Sequence, residues 1–186
     1  MLAFDPDLWR ARAVVKRMNG RNENKACARW IRDINDIESL GTIIEWCKKK
    51  SLRVVFTRKT LGFYDPENKE ITISNVSSPQ RQLHILLHEC GHHLIFKSTL
   101  KFESSDMSEN AIKRSLRHRV EVVDEEFEAW RRGWRLGVKI GILCPDNRRE
   151  YERTRSIMLR SYMAWALQPM SIDEPAQPQV ALETSK

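Results

Sequence analysis

The spacing of hydrophobic positions changes twice along this chain, and the changes predict helices, then strands, then helices again. Apolar side chains recur every three or four positions in the helical stretches and at shorter spacing in the strands. Helices are expected at residues 5–19, 24–34, 37–50, 79–97 and 145–167, with one more that ends near Gly141. Strands are expected at residues 52–57, 61–64 and 70–74.

This order of elements favours the α+β class, mostly helical, with a small three-stranded antiparallel sheet packed on the helix at 79–97. Residues 70–75 are our prediction for the edge strand. The chain of 186 residues is expected to divide into three parts. These are an N-terminal helical segment at 1–50, a core at 51–168 and a disordered tail at 169–186, which is rich in proline.

The helix predicted at 79–97 carries the string His-Glu-Cys-Gly-His at positions 88–92, between apolar runs. Positions i and i+4 lie on one face of a helix, so His88 and His92 can direct two imidazoles at one metal ion. Glu89 can then reach a water molecule at the metal without being a ligand itself. Burying such groups without a shared partner is costly, which favours a Zn²⁺ site over chance. Gly91 predicts that another backbone passes close by.

A third protein ligand is expected from the helix that ends near Gly141. Among its glutamates, Glu126 lies in a stripe of small residues that includes Ala129 and Gly133. Small residues allow close packing of helices, so this face can lie against the motif helix. We therefore predict Glu126 as the third ligand, with Glu125 as the alternative.

These residues resemble a known arrangement. The strings His-Glu-Cys-Gly-His-His-Leu and, from Glu126, Glu-Phe-Glu-Ala are similar to the H-E-x-G-H-x-x-L and E-x-x-A motifs of small gluzincin-like metallopeptidases. The ImmA/IrrE-type proteins of bacteria and phages are the nearest such group, and SprT-like proteins are more distant. The resemblance covers about residues 50–141. It implies a minimal zincin-like fold, zinc bound by His88, His92 and Glu126, and Glu89 as the general base.

A peptidase also needs a donor for the oxyanion that forms at the substrate carbonyl. His118 precedes Glu126 by eight residues, so the two share a face of a continuous helix. His118 is therefore a candidate catalytic residue, although a surface histidine in a basic cluster would have the same pattern. The chain has three tyrosines, and each stays open as an alternative donor: Tyr64, Tyr151 and Tyr162.

Composition bounds the partners and the compartment. The net charge of +7 is uneven: residues 1–60 and 111–160 carry +7 and +5, whereas residues 61–110 carry −3. The basic flanks could bind nucleic acid, although solvated helix faces would look the same. The four scattered cysteines are typical of reduced thiols, and no apolar run is long enough to cross a membrane. We expect a cytoplasmic protein, in a bacterial cell or a phage-infected host.

The sequence thus favours a zinc-dependent endopeptidase that cleaves a specific intracellular protein. Two alternatives stay open. One is a protein that binds nucleic acid or a partner and keeps zinc for structure. The other is a phage or mobile-element antagonist of a host factor. The pattern does not determine the oligomeric state or the substrate.

Overall fold

The computed structural model describes residues 23–58, 62–99, 102 and 115–168. Helices and strands alternate in blocks, as the hydrophobic pattern predicts. The elements are α1 (Glu23–Lys49), β1 (Arg53–Thr57), β2 (Gly62–Asp65), β3 (Glu70–Ser74), α2 (Pro79–Phe96), α3 (Leu116–Lys139) and α4 (Arg148–Ala166). A single 3₁₀ turn, Pro145–Asn147, leads into α4. The α+β class is confirmed.

The three strands form a mixed sheet in the order β1-β3-β2. β3 pairs in parallel with β1 and antiparallel with β2. The predicted all-antiparallel sheet is therefore wrong, and so is the placement of residues 70–75 at the edge, because β3 is the central strand. Alternation shows which face of a strand is buried, but it carries no information about which strand lies beside it.

The sheet is held against α2 by its central strand. Ile71 and Ile73 are fully buried, and the side chain of Tyr64 on β2 reaches α2. The turn between β2 and β3 is fixed by Asp65, whose carboxylate accepts hydrogen bonds from the backbone N–H groups of Glu67 and Asn68. Short-range turn chemistry therefore sets the β2–β3 hairpin.

α1 is one helix where the sequence pattern predicts two. Neither glycine nor proline occurs between residues 21 and 40, so nothing in the backbone interrupts the helix. Its described buried side chains include Leu40, Ile43 and Cys47. The sulfur of Cys47 lies 3.5 Å from that of Cys90 in α2, which places α1 directly against the motif helix.

α2 begins at a proline, as predicted, and Ser78 caps it by accepting a hydrogen bond from the N–H of Arg81. Its closest helical neighbour is α3. A Cβ atom added at Gly91 would lie 2.7 Å from the carbonyl carbon of Ala129, and one at Gly133 would lie 2.5 Å from the carbonyl oxygen of Leu87. The expected close approach of two helices through small residues is confirmed.

The predicted helix at 5–19 and the tail at 169–186 lie outside the described residues, and the division into three parts stays a prediction. Among the helices that the structure does describe, none has the length and apolar character needed to span a lipid bilayer.

Candidate metal centre

The close packing of α2 and α3 brings three donor groups together. The Nε2 atoms of His88 and His92 lie 3.3 Å apart. Glu126 of α3 places Oε2 at 3.2 Å from Nε2 of His88 and Oε1 at 3.4 Å from Nε2 of His92. Each predicted ligand therefore has an atom within 3.4 Å of the other two.

These distances match the size of a metal site. An ion with tetrahedral bonds of about 2.0–2.1 Å holds its donor atoms about 3.3 Å apart. Two imidazoles and one carboxylate form a donor set that zinc accepts, and three protein ligands leave one position open. The residues present therefore fit a zinc ion, which would be held by His88, His92 and Glu126.

Glu89 belongs to the same cluster. Donor atoms of His88, Glu89 and His92 all lie within 4.8 Å of one another. Glu126 places its two carboxylate oxygens at 3.2 and 3.4 Å from the two histidines, which is the geometry expected of a ligand, and the Glu89 carboxylate lies beside these donor atoms. Burial, countered in part by the two histidines, raises the pKa of Glu89.

The electrostatics of the cluster are those of paired opposite charges. Burial would raise the pKa of Glu126, but hydrogen bonds to His88 and His92 outweigh it and hold that pKa well below its usual value. Burial would likewise lower the pKa of His92, but hydrogen bonds to Glu125 and Glu126 raise it well above the usual range. In the metal-free protein, a proton on His92 therefore compensates the buried carboxylate.

The outer nitrogens of the two histidines have different surroundings. Nδ1 of His92 lies 3.4 Å from Oε1 of Glu125. Glu125, the alternative ligand, is thus on the far side of the His92 ring from Glu126. Nδ1 of His88 is buried and has no hydrogen-bond partner among the described residues. Instead, the His88 ring stacks on Trp130, with centroids 4.4 Å apart and planes 18° apart.

The contact of Trp130 with a candidate ligand was missed in the sequence analysis. Trp130 lies one turn after Glu126 and is fully buried. The sequence holds a signal for this contact. Trp130 follows Glu126 by four residues, so the two side chains lie on the same face of α3 and face the same neighbouring helix.

Gly62 of β2 is a second residue that the sequence analysis missed. A Cβ atom added there would lie 2.6 Å from Oε1 of Glu89 and would overlap a methyl group of Ile85. The Glu89 carboxylate therefore lies directly against the backbone of β2. Pairing with β3 leaves the opposite side of β2 as an edge of the sheet.

Of the three tyrosines, only Tyr162 has a pKa on which the carboxylates of both Glu126 and Glu89 act. Burial raises its pKa first, and Glu126 and Glu89 raise it further, with a hydrogen bond to Glu126 among the causes. The hydroxyl of Tyr151 donates to the carbonyl of Trp130 at 2.8 Å, and that of Tyr64 lies 2.9 Å from Nδ1 of His93. Tyr64 and Tyr151 are therefore engaged elsewhere.

The structure does not bring His118 into contact with the cluster. Its ring packs edge-on against Trp165, with centroids 6.5 Å apart. Eight residues of helix separate it from Glu126, which is about 12 Å along the axis. His84, also on α2, hydrogen-bonds to the hydroxyl of Thr154 at 2.9 Å, away from the candidate ligands. The catalytic role of His118 stays an untested prediction.

No protein-family model matches this chain, and neither the curated proteins nor the solved structures include a significant match to it. The function of this protein must therefore be inferred from the site itself.

Proposed function

We propose that this protein is a zinc-dependent metallopeptidase of gluzincin-like type, and that it hydrolyses peptide bonds of a protein substrate. The observation that carries the proposal is the triangle of donor atoms from His88, His92 and Glu126, with sides of 3.2–3.4 Å. The position of Glu89 beside that triangle adds the proton carrier that hydrolysis needs.

Each residue then has one role. A zinc ion held by the three ligands would lower the pKa of a water molecule and polarise the substrate carbonyl. Glu89 accepts the proton of the attacking water and later delivers it to the leaving amine. Burial raises the pKa of Glu89 above its ordinary value in the metal-free protein, which favours a carboxylate that can hold a proton between the two steps.

The substrate is proposed to bind in an extended conformation along the outer edge of β2. An extended peptide can add to the edge of a sheet through backbone hydrogen bonds. Because Gly62 brings this strand against Glu89, a peptide on that edge passes beside the metal position. The edge role predicted for residues 70–75 thus belongs to β2.

Tyr162 is proposed as the donor for the oxyanion, in place of His118. A phenol keeps its proton when burial and nearby carboxylates raise its pKa, so Tyr162 can donate a hydrogen bond over the whole working range. Replacing Tyr162 by Phe should lower kcat about 100-fold or more and leave KM nearly unchanged. His118→Ala is the matched comparison. A larger loss from that variant than from Tyr162→Phe would reverse the assignment.

The central test uses Glu89→Gln, which keeps the size of the side chain and removes its basicity. Zinc content should stay at one ion per chain while cleavage is lost. The substrate is unidentified, so the assay compares the proteomes of cells that express the wild type or the variant. The proposal fails if purified wild-type protein binds no zinc, or if the two proteomes show the same peptide termini.

A structural zinc site is the alternative, in a protein that binds nucleic acid or another partner. A structural zinc more often has four protein ligands, and it has no need of a buried carboxylate such as Glu89 beside it. This site has three candidate protein ligands and a buried Glu89 beside them, and both features favour the peptidase. A cytoplasmic location, and the idea of a phage or mobile-element antagonist, stay predictions.

A further inference from the structure

An exposed aromatic side chain lies at the end of the motif helix, next to the metal centre. Phe96 is the last residue of α2, and 48% of its surface is exposed. It follows His92 by four residues and Glu89 by seven, so it lies on the same side of α2 as both. Phe96 therefore stands one helical turn beyond His92, which is about 6 Å along the axis.

The strand β2 runs alongside this part of α2. Gly62 lies against the carboxylate of Glu89, and two residues later the hydroxyl of Tyr64 lies 2.9 Å from Nδ1 of His93. The rings of Tyr64 and Phe96 are in edge contact, with centroids 6.5 Å apart and planes 67° apart. Two residues of strand and four residues of helix cover nearly the same length, about 6–7 Å. β2 and α2 thus advance together from Glu89 towards Phe96.

A peptide added to the outer edge of β2 would carry its side chains past these residues in order. Side chains alternate along a strand, so the peptide residues opposite Gly62 and Tyr64 face the same side, which is that of α2. The first lies beside Glu89, and the second, two positions along, lies at the ring of Phe96. A large apolar side chain at the second position removes its own surface and that of the ring from water, which favours binding.

The orientation of the peptide decides on which side of the cleaved bond this residue lies. We take the antiparallel orientation, because antiparallel pairing is slightly more stable than parallel pairing. The peptide then runs opposite to β2, so the residue opposite Tyr64 precedes the residue opposite Gly62 by two positions. The cleaved bond adjoins the latter, beside Glu89. The residue at Phe96 is therefore the second or third before that bond.

We infer that Phe96 forms the subsite that selects the substrate, and that the substrate carries a large aliphatic or aromatic residue two or three positions before the cleaved bond. The inference rests on the proposed peptidase function and names the class of sequence that it cleaves. Lys97 borders the same subsite, since its ammonium group lies 5.5 Å from the centroid of the Phe96 ring. This charge disfavours a basic residue at the same position of the substrate.

The test incubates the zinc-loaded, full-length protein with a library of random peptides and identifies the new termini by mass spectrometry. Large apolar residues should be enriched about tenfold over alanine, serine and lysine at the second or third position before the cleaved bond. If the wild type cleaves no more peptides than Glu89→Gln does, the proposed function fails and the inference fails with it. Cleavage without this preference, or with it only after the cleaved bond, overturns the inference alone.

Two variants of Phe96 localise the preference. Phe96→Ala should reduce the apolar enrichment about fivefold or more and leave zinc affinity unchanged, whereas Phe96→Leu keeps a large apolar side chain and should retain most of the enrichment. Val138→Ala is the matched control, because Val138 is also an exposed apolar residue and lies about 18 Å along α3 from Glu126. The inference is overturned if Phe96→Ala keeps the wild-type preference, or if Val138→Ala reduces it as much.

Discussion

Gly91 of α2 lies directly on the main chain of Ala129 in α3, so closely that a methyl group at residue 91 would overlap the Ala129 carbonyl oxygen. Backbone cannot move aside as a flexible side chain can. Gly91→Ala should therefore force the two helices apart and lower the free energy of unfolding by about 3 kcal/mol or more. Thermal or urea unfolding of the metal-free protein measures this loss.

Gly41 provides the matched control for that experiment. It also lies within a helix, but a Cβ atom added there would meet nothing within 4 Å. Gly41→Ala should raise the free energy of unfolding by about 0.5–1 kcal/mol, because alanine restricts the unfolded chain more than glycine does. If both variants shift stability equally, the contact between α2 and α3 is not as close as described.

The two neighbouring glutamates of α3 should differ in their effect on zinc. Glu126→Gln removes a proposed ligand, and it should reduce zinc affinity by more than about 100-fold. Glu125→Gln removes the negative charge beside Nδ1 of His92 but keeps an oxygen that can accept its hydrogen bond, so it should reduce affinity by only about tenfold. Competition with a chromophoric chelator measures both. A larger loss for Glu125→Gln would exchange the two roles.

Zinc affinity should rise with pH. His92 must be neutral to bind a metal, and in the metal-free protein its pKa is raised well above the usual range. Zinc therefore displaces one proton from His92, so affinity should increase about tenfold per pH unit below that pKa. Glu126 releases no further proton when zinc binds, because its pKa is lowered and it is already ionised.

The same proton has the opposite effect on the stability of the metal-free protein. Because the pKa of His92 is raised in the folded protein, protonation of His92 contributes to the stability of the fold. This contribution is complete at pH values below the pKa that His92 has in the unfolded chain, and it is lost as the pH rises through the pKa of the folded state. Glu125→Gln replaces a charged hydrogen-bond partner of His92 by a neutral one, which should lower the raised pKa of His92. The pH range over which zinc affinity rises steeply should then move to lower values. A pH-independent zinc affinity would contradict the proposed proton exchange.

Gly62→Ala should separate metal binding from catalysis. The added methyl group would lie 2.6 Å from Oε1 of Glu89, so the carboxylate has to move, whereas the three ligands are not touched. Zinc affinity should stay within about threefold of wild type, and cleavage should fall about 100-fold. Gly41→Ala, which adds the same methyl group where nothing lies within 4 Å, is the control and should leave both quantities unchanged.

The sequence predicted the parts of this fold that depend on local rules. Pro79 marked the start of α2, and Gly91, Ala129 and Gly133 marked the faces on which α2 and α3 meet, because only small residues permit that approach. Glu126 could be preferred to Glu125 for the same reason. The single helix α1 was missed because apolar spacing alone suggested a break that the backbone has no reason to make.

Strand pairing could not be predicted in the same way. Ile71 and Ile73 alternate with polar residues whether their strand is central or at an edge, so their pattern does not identify its neighbours. The position of Gly62 beside Glu89 depends on that strand pairing, so it could not be predicted either. Tyr162 could be named from the sequence as one of three tyrosines. Only the packing of α4 distinguishes it from Tyr64 and Tyr151.

The hydrogen bond between Tyr64 and His93 joins β2 to the helix that carries Glu89. The strand proposed to receive the substrate and the proposed proton acceptor are thereby fastened to each other before any peptide arrives. Such preorganisation means that docking and alignment happen together, so the reacting groups lose little further freedom on the way to the transition state.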